Sequence, residues 1–95
     1  MKAELLIRER VVYPDGALVE MAVWRLPAPT PPSLHRFKYR LVYVVNGRRV
    51  IGYDNERGKG DHRHVRGREE RFAFSSIDDL LEEFAAQVEA LRRRE

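Results

Sequence analysis

The side chains best suited to acid–base chemistry lie in the stretch YDNERGKGDHRH, residues 53–64. His62 and His64 are two positions apart, so in an extended segment both imidazoles would point to one face, roughly 6–7 Å apart. Histidine exchanges protons near neutral pH, so one ring could accept the 2′-hydroxyl proton of RNA while the other protonates the leaving 5′-oxygen. A cation such as Lys59 or Arg57 would stabilise the extra charge on the phosphate. The spacing therefore predicts catalytic roles for His62, His64 and Lys59.

The other residues of this stretch are predicted to support the histidine pair. Gly58 and Gly60 flank Lys59, and glycines can adopt positive φ or let a phosphate approach the backbone. Their spacing does not match that of the phosphate-binding loop. Asp54 and Asn55 are typical turn residues that could also orient a histidine. The supporting set is Tyr53, Asp54, Asn55, Gly58, Gly60 and Asp61.

A metal site could use the same two histidines. Together with Asp61 or His35 they would offer three nitrogen or oxygen ligands and leave a position open for water, as in catalytic zinc sites. The surrounding arginines would repel a divalent cation, so the metal-free chemistry ranks first, and no metal or other cofactor is predicted. A further interpretation is that both histidines only form hydrogen bonds at a strand edge.

The formal net charge of +3 is unevenly distributed along the chain. Residues 36–71 carry eleven Lys or Arg and five Asp or Glu, a net charge of +6, whereas the remainder carries −3. Arginine forms bidentate contacts with phosphate, so a polyanion such as RNA is the first partner to consider, with a merely solvated basic surface as the alternative. The residues predicted to bind nucleic acid are Arg36, Lys38, Arg40, Arg57, Arg63 and Arg66.

Length and composition predict a single domain over residues 1–95, because 43% of the chain is hydrophobic. There is no cysteine, so neither disulfides nor thiolate metal sites can stabilise the fold. The N-terminal run MKAELLIRERVVY is interrupted by charges and is typical of neither a signal peptide nor a membrane span. A cytoplasmic protein without membrane contact is expected.

Hydrophobic periodicity and turn residues predict an α+β fold. It consists of an antiparallel sheet of four to five strands with one C-terminal amphipathic helix packed across one face. Pro-Asp-Gly and Asn-Gly turns join the strands into two hairpins, and Ser75-Ser76 before two aspartates marks the helix start. The predicted strands lie at about 3–13, 17–26, 35–45 and 48–54, with a short fifth strand at 71–74 left open, and the helix at about 77–92.

One face of such a sheet stays in contact with water. On the third strand Arg36, Lys38 and Arg40 alternate with aromatic and aliphatic residues. These basic residues are therefore expected on the wet face, beside the strand that leads into residues 53–64.

These motifs resemble the TumE-type toxins of bacterial and archaeal toxin–antitoxin modules. The resemblance rests on YDNERGKGDHRH, on the later passage RFAFSSIDDLLEEF, and on HRFKYRLVYVVNG together with the Pro-Asp-Gly hairpin, so it covers almost the whole chain. Its most specific part runs from Tyr53 to His64. The resemblance implies a small cytoplasmic toxin encoded beside a DNA-binding helix-turn-helix antitoxin.

Three functions remain open at this level. The first is a toxin that acts on RNA as a metal-independent ribonuclease through His62 and His64. The second is a non-catalytic nucleic-acid-binding or ribosome-binding module, which inhibits by occupancy and shows strong salt dependence. The third is a protein-interaction domain in which the charged stretch is incidental. They rank in that order, while the substrate, the acid and base assignments and the oligomeric state, including a homodimer, stay open.

Overall fold

In the computed structural model, which describes residues 2–56 and 58–94, the chain forms one sheet and one helix. The elements are β1 (Glu4–Val12), β2 (Leu18–Arg25), β3 (Phe37–Val45), β4 (Arg48–Glu56), β5 (Gly60–Val65), β6 (Arg68–Arg71) and α1 (Ile77–Arg93). All neighbouring strands pair antiparallel, in chain order. The predicted antiparallel sheet with a C-terminal helix is confirmed. The predicted number of strands is wrong, because the sheet has six.

The additional strands β5 and β6 carry little of the apolar alternation by which strands are recognised. In β6 all four residues are charged, and in β5 only Val65 is aliphatic. They are joined by a two-residue turn in which Arg66 and Gly67 both have positive φ, 52° and 79°. The short strand expected at 71–74 does not form, because β6 ends at Arg71. The N–H of Phe72 still donates to the carbonyl of Asp61, and the side chains of Phe72 and Phe74 pack against the core.

Local sequence signals set the turns and the helix start. Asn46 and Gly47 have φ of 51° and 75°, the combination that a type I′ turn between β3 and β4 requires. The helix begins after Ser76, whose hydroxyl accepts a hydrogen bond from the backbone N–H of Asp79 at 3.0 Å. These features confirm the predicted second hairpin and helix cap.

The helix covers one face of the sheet and leaves the other open. Leu80, Phe84 and Val88 of α1 are buried against side chains that point inward from β2, β3 and β4, including Tyr39 and Tyr53. Because side chains alternate along a strand, the intervening residues point to the opposite face, which we call the open face. It includes Lys38 and Arg40 of β3, Asp54 of β4, and His62 and His64 of β5.

Asn55 joins the end of β4 to β3 through its side chain. It is only 2% exposed and lies just beyond Asp54, the last β4 residue paired with β3. Its Oδ1 accepts a hydrogen bond from the backbone N–H of Tyr39 at 3.0 Å, and its Nδ2 donates to the carbonyl of Phe37 at 2.7 Å. The Asn55 amide therefore continues the pairing of β3 and β4 within the stretch 53–64.

We expect Asn55→Ala to lower the free energy of unfolding by about 2–3 kcal/mol, because it leaves a buried N–H and a carbonyl unpaired. The effect is measured as a lower urea midpoint at an unchanged m-value. Asn46→Gly is the matched control, since it removes an exposed amide where glycine tolerates the positive φ. Equal midpoints for the two variants would contradict this role of Asn55.

Candidate functional site

Two cross-strand rows gather ionisable side chains on the open face. The rows are Arg40–Asp54–His62–Arg71 and Val42–Gly52–His64–Glu69. Directly opposite residues in an antiparallel pair have Cβ atoms about 4.5–5.5 Å apart, so each row brings its members into contact range. The pairing thus adds Glu69 and Arg71, which the sequence analysis missed, to the predicted histidines and Asp54. Neither has a local signal, because both depend on β6.

His62 is the buried member of the group, with 4% of its surface exposed. Its Nδ1 lies 2.9 Å from the carbonyl oxygen of Gly60. A carbonyl only accepts hydrogen bonds, so Nδ1 carries the proton and donates. Nε2 lies 2.6 Å from Oδ1 of Asp54. Yet within the described residues this buried Oδ1 has no hydrogen-bond partner, since the contact lacks hydrogen-bond geometry.

His64 forms the more accessible side of the site. Its ring lies edge-on to that of His62, with centroids 5.2 Å apart, and its side chain is 18% exposed. Burial, and then the positive charge of Arg49, lower the pKa of His64, so the neutral imidazole predominates at neutral pH. A neutral ring can accept a proton or bind a metal ion.

Glu69 closes the site from β6. Its Oε1 lies 3.7 Å from Nε2 of His62 and 3.9 Å from Nε2 of His64. Desolvation raises the pKa of Glu69, but Lys59 and the two histidines outweigh it, and the net pKa lies below the usual value. Lys59 Nζ stands 3.4 Å from the same Oε1. We call Asp54, His62, His64 and Glu69 the open-face cluster, and Lys59 borders it.

Arg49 reaches this cluster across a glycine. The β3–β4 register shifts after Tyr43, and Arg49 pairs with Val44, which places it on the open face. A Cβ on Gly52 would lie 2.9 Å from Cδ of Arg49, so the arginine side chain occupies the space above that glycine. A glycine inside a strand was the available sequence signal for this close approach.

The predicted nucleic-acid-binding residues do not form one group. Arg40 lies in the first row, and Lys38 is exposed on the open face opposite Trp24. Arg36 and Arg66 are exposed outside the strands, and Arg57 lies outside the described residues.

Arg63 points to the helix-covered side, away from the histidines. Its Nε donates to Glu70 at 2.7 Å and its Nη1 to Glu83 of the helix at 3.3 Å. The bond to Glu70, above all, raises the pKa of Arg63. This guanidinium is therefore bound by carboxylates on the opposite face from the open-face cluster.

Asp61 and His35, the third metal ligands considered from the sequence, form a separate network on the covered side. Oδ1 of Asp61 lies 2.8 Å from Nε2 of His35 and accepts from the Tyr39 hydroxyl at 2.6 Å, while Oδ2 accepts from Ser33 at 3.2 Å. Burial and this carboxylate raise the pKa of Tyr39. The sheet does not bring Asp61 or His35 together with His62 and His64.

The remaining supporting residues act on the backbone or in the core. Tyr53 is buried, with its ring edge-on to Phe72 and Phe84. The N–H of Gly58 donates to the carbonyl of Pro31, and that of Lys59 donates to Glu56. These two amides are already paired, so the structure does not show the phosphate-binding backbone considered from the sequence.

The fold and the site define a small α+β protein with a histidine–carboxylate cluster at the centre of a basic sheet face. A family model described as Toxin TumE matches residues 2–92, nearly the whole chain. The chain therefore belongs to the TumE toxin family, which implies a cognate antitoxin. No curated protein and no solved structure matches it. Among the described residues, no helix is long and apolar enough to cross a membrane.

Gly60 is expected to tolerate a side chain less well than Gly58. Both have positive φ, 75° and 87°, so alanine at either position should lower the free energy of unfolding by about 1–2 kcal/mol. At Gly60 a Cβ would also lie 2.9 Å from Cγ of Pro32, whereas nothing lies within 4 Å at Gly58. Gly60→Ala should therefore lower the free energy of unfolding, measured in urea, by at least about 1 kcal/mol more than Gly58→Ala does. Equal losses would show that Pro32 moves aside freely.

Proposed function

We propose that this chain is the toxin of a toxin–antitoxin module and that it arrests growth by cleaving RNA at the open-face cluster. The observation that carries the proposal is the position of the cluster. Two histidines and two carboxylates in mutual contact lie on the helix-free face, among Arg40, Arg49, Lys59 and Arg71. Proton-transfer groups and phosphate-binding cations are the two components that RNA cleavage needs.

The reaction is an internal transfer within the RNA. The 2′-oxygen bonds to phosphorus, the bond from phosphorus to the 5′-oxygen breaks, and the products carry a 2′,3′-cyclic phosphate and a 5′-hydroxyl. One proton passes from the 2′-hydroxyl to the cluster and one passes from the cluster to the 5′-oxygen, so the cluster regains its starting protonation. General acid–base groups contribute typically about 10²–10⁴-fold to such steps.

The members of the cluster differ in solvent exposure, and we assign their roles accordingly. Nδ1 of His62 is committed to the carbonyl of Gly60 and its Nε2 faces Asp54, so His62 acts as a positioning residue. His64 and Glu69 are the members that reach solvent and substrate. This assignment differs from the sequence-based hypothesis, in which His62 and His64 were equivalent acid and base.

The cationic border supplies the attraction for phosphate. Arg40 and Arg71 lie at the two ends of the first row, and Arg49 and Lys59 contact the second. Arginine and lysine close to a phosphate stabilise the charge that develops in the transition state. An acidic segment of a helix-turn-helix antitoxin would satisfy the same cations and so block the site. Action on cellular RNA implies a cytoplasmic location.

Inhibition by occupancy is the second candidate function. The same exposed cations favour it, because they can hold an RNA or a ribosomal surface without any bond being broken. It predicts growth arrest with intact RNA, which separates it from cleavage. A protein-interaction domain, the third hypothesis, predicts instead that changes at the cluster leave toxicity unaltered.

We expect His64→Asn to abolish growth arrest on induced expression and to reduce RNA cleavage by the purified protein at least about 100-fold. His35→Asn is the matched control, since the His35 side chain is similarly exposed (16%) but lies in the network on the covered side. The control should remain toxic. Cleavage is measured on labelled RNA, with end-group analysis for the cyclic phosphate, and circular dichroism verifies that both variants fold.

Two outcomes would contradict this proposal. Equal activity of His64→Asn and the wild type would remove the cluster from the chemistry. Growth arrest with intact RNA in the wild type would favour occupancy.

A charge-matched pair of double variants tests the basic face. Arg40→Gln/Arg71→Gln and Arg93→Gln/Arg94→Gln each remove two positive charges, the first from the open face and the second from the end of the helix. With single-stranded RNA, losing two phosphate contacts should reduce the slope of log K against log salt by about 1.4. Fluorescence anisotropy in the His64→Asn background measures this slope without cleavage. Equal effects of the two pairs would mean that the open face does not bind RNA.

A further inference from the structure

We propose that the open-face cluster is a binding site for a divalent first-row transition-metal ion. Its ligands are a ring nitrogen from each of His62 and His64 and a carboxylate oxygen of Asp54. The three ligand atoms lie within 4.8 Å of one another, and two of the three residues come from β5 with the third directly opposite on β4. Two imidazoles with one carboxylate are a donor set typical of zinc and other first-row metals rather than of magnesium or calcium.

The strongest observation is the contact between His62 and Asp54. Because Nδ1 of His62 donates to a carbonyl, a neutral ring has only a lone pair at Nε2. That nitrogen lies 2.6 Å from a buried carboxylate oxygen that has no hydrogen-bond partner among the described residues. A buried carboxylate oxygen without a hydrogen-bond donor is costly. A cation bound by the two atoms removes this cost.

The surroundings of His62 also match those of a metal ligand. Ligating histidines commonly donate their second ring nitrogen to a backbone carbonyl or a carboxylate, which fixes the ring orientation and the tautomer. The bond from Nδ1 to Gly60 provides that restraint at 2.9 Å. Tetrahedral ligand atoms at zinc-like bond lengths are about 3.3 Å apart. A separation of 2.6 Å between Nε2 and Oδ1 would therefore widen by about 0.7 Å around an ion.

The charges around the cluster are of both signs, although the arginine-rich sequence suggested that a cation would be repelled. Asp54 and Glu69 place two carboxylates against the ligand nitrogens, while Arg40, Arg49, Lys59 and Arg71 border the cluster. Arg63, the arginine nearest to the histidines in sequence, points to the other face and is paired with Glu70 and Glu83. Oε1 of Glu69 lies within 4 Å of Nε2 in both histidines, so this carboxylate stands beside the ion without being needed as a ligand.

The network around Asp61 shows what a satisfied carboxylate looks like in this chain. Asp61 has contacts at hydrogen-bond distance to His35, Tyr39 and Ser33. Among the described residues, Oδ1 of Asp54 has no hydrogen-bond partner, although Nε2 of His62 lies 2.6 Å away. The contrast assigns the ion to the open-face cluster and a purely structural role to the Asp61 network.

The catalytic role of the ion rests on the proposed ribonuclease function, whereas its binding does not. With the ion bound, His64 is a ligand and Glu69 remains as the exposed group for proton transfer. With three protein ligands, a tetrahedral ion would keep one position for a phosphate oxygen, whose charge it would neutralise as a Lewis acid. Glu69 and Lys59 border that position.

Metal binding is tested first on the purified protein without RNA. After dialysis against a chelator, Zn²⁺ is titrated calorimetrically, and Co²⁺ is followed by its visible absorption, which reports imidazole and carboxylate ligands. One ion per chain is expected. His64→Gln and Asp54→Asn should each weaken binding at least tenfold, and His35→Asn, which alters a histidine of the separate network, should change it less than twofold.

The proposal is overturned if the wild type binds Zn²⁺ with a dissociation constant above ~1 mM, the limit taken for a weak site. It is equally overturned if both cluster variants bind as tightly as the wild type, because the ion then lies elsewhere. Circular dichroism tests folding, and His64→Gln decides alone if Asp54→Asn unfolds.

RNA cleavage by the metal-free and the reloaded protein separates this proposal from the previous one. Tight binding with intact RNA in both forms leaves the metal site standing and refutes the ribonuclease. Cleavage by a protein that binds no metal refutes the metal site and leaves the ribonuclease standing.

Discussion

The register of β4 against β5 is the constraint on which the open face depends. It sets Asp54 opposite His62 and forces a buried carboxylate oxygen to within 2.6 Å of an imidazole nitrogen. A slip of one residue would turn both histidines toward the helix and bring Asp61 and Arg63 to the open face. Gly60, with its positive φ beside Pro32, and Asn55, bonded to the backbone of β3, hold this end of the sheet in place. The site therefore depends on backbone pairing more than on any single side chain.

The two sides of β5 show different relations between polar groups and stability. On the covered side Asp61 and Arg63 are bound by several partners, so their charges are compensated, although Arg63 stays 27% exposed. On the open side the side chains of Asp54 and His62 are 13% and 5% exposed, and among the described residues Oδ1 of Asp54 has no hydrogen-bond donor. Buried polar atoms are nearly always hydrogen-bonded, so an exception marks a place where another group belongs. That Asp54 oxygen lies beside both histidines, which is why we place the proposed ion there; the other such atom among the described residues is the Tyr53 hydroxyl, on the covered side.

Features set by local sequence could be predicted, whereas those set by strand pairing could not. The Asn-Gly turn, the Ser76 cap and the apolar stripe of the helix are local, and the structure has all three. The charged strand β6 is defined by its pairing with β5, so neither the strand nor Glu69 could be recognised in advance. Arg63 seemed suited to phosphate because its partner Glu83 is 20 residues away in sequence. The basic composition could be read from the sequence, but which charged residues pair with each other could not.

The charge pattern of the open face links the two proposals. Asp54 and Glu69 place two carboxylates at the centre of the cluster, which repel the phosphate that the surrounding arginines and Lys59 attract. A metal-free site would have to overcome this repulsion at its centre. A divalent cation would neutralise the carboxylates of the cluster and leave the surrounding cations unchanged. The cluster and its cationic border would then both favour phosphate. The proximity of carboxylates to cations on a face suited to RNA therefore argues for an ion as part of the site.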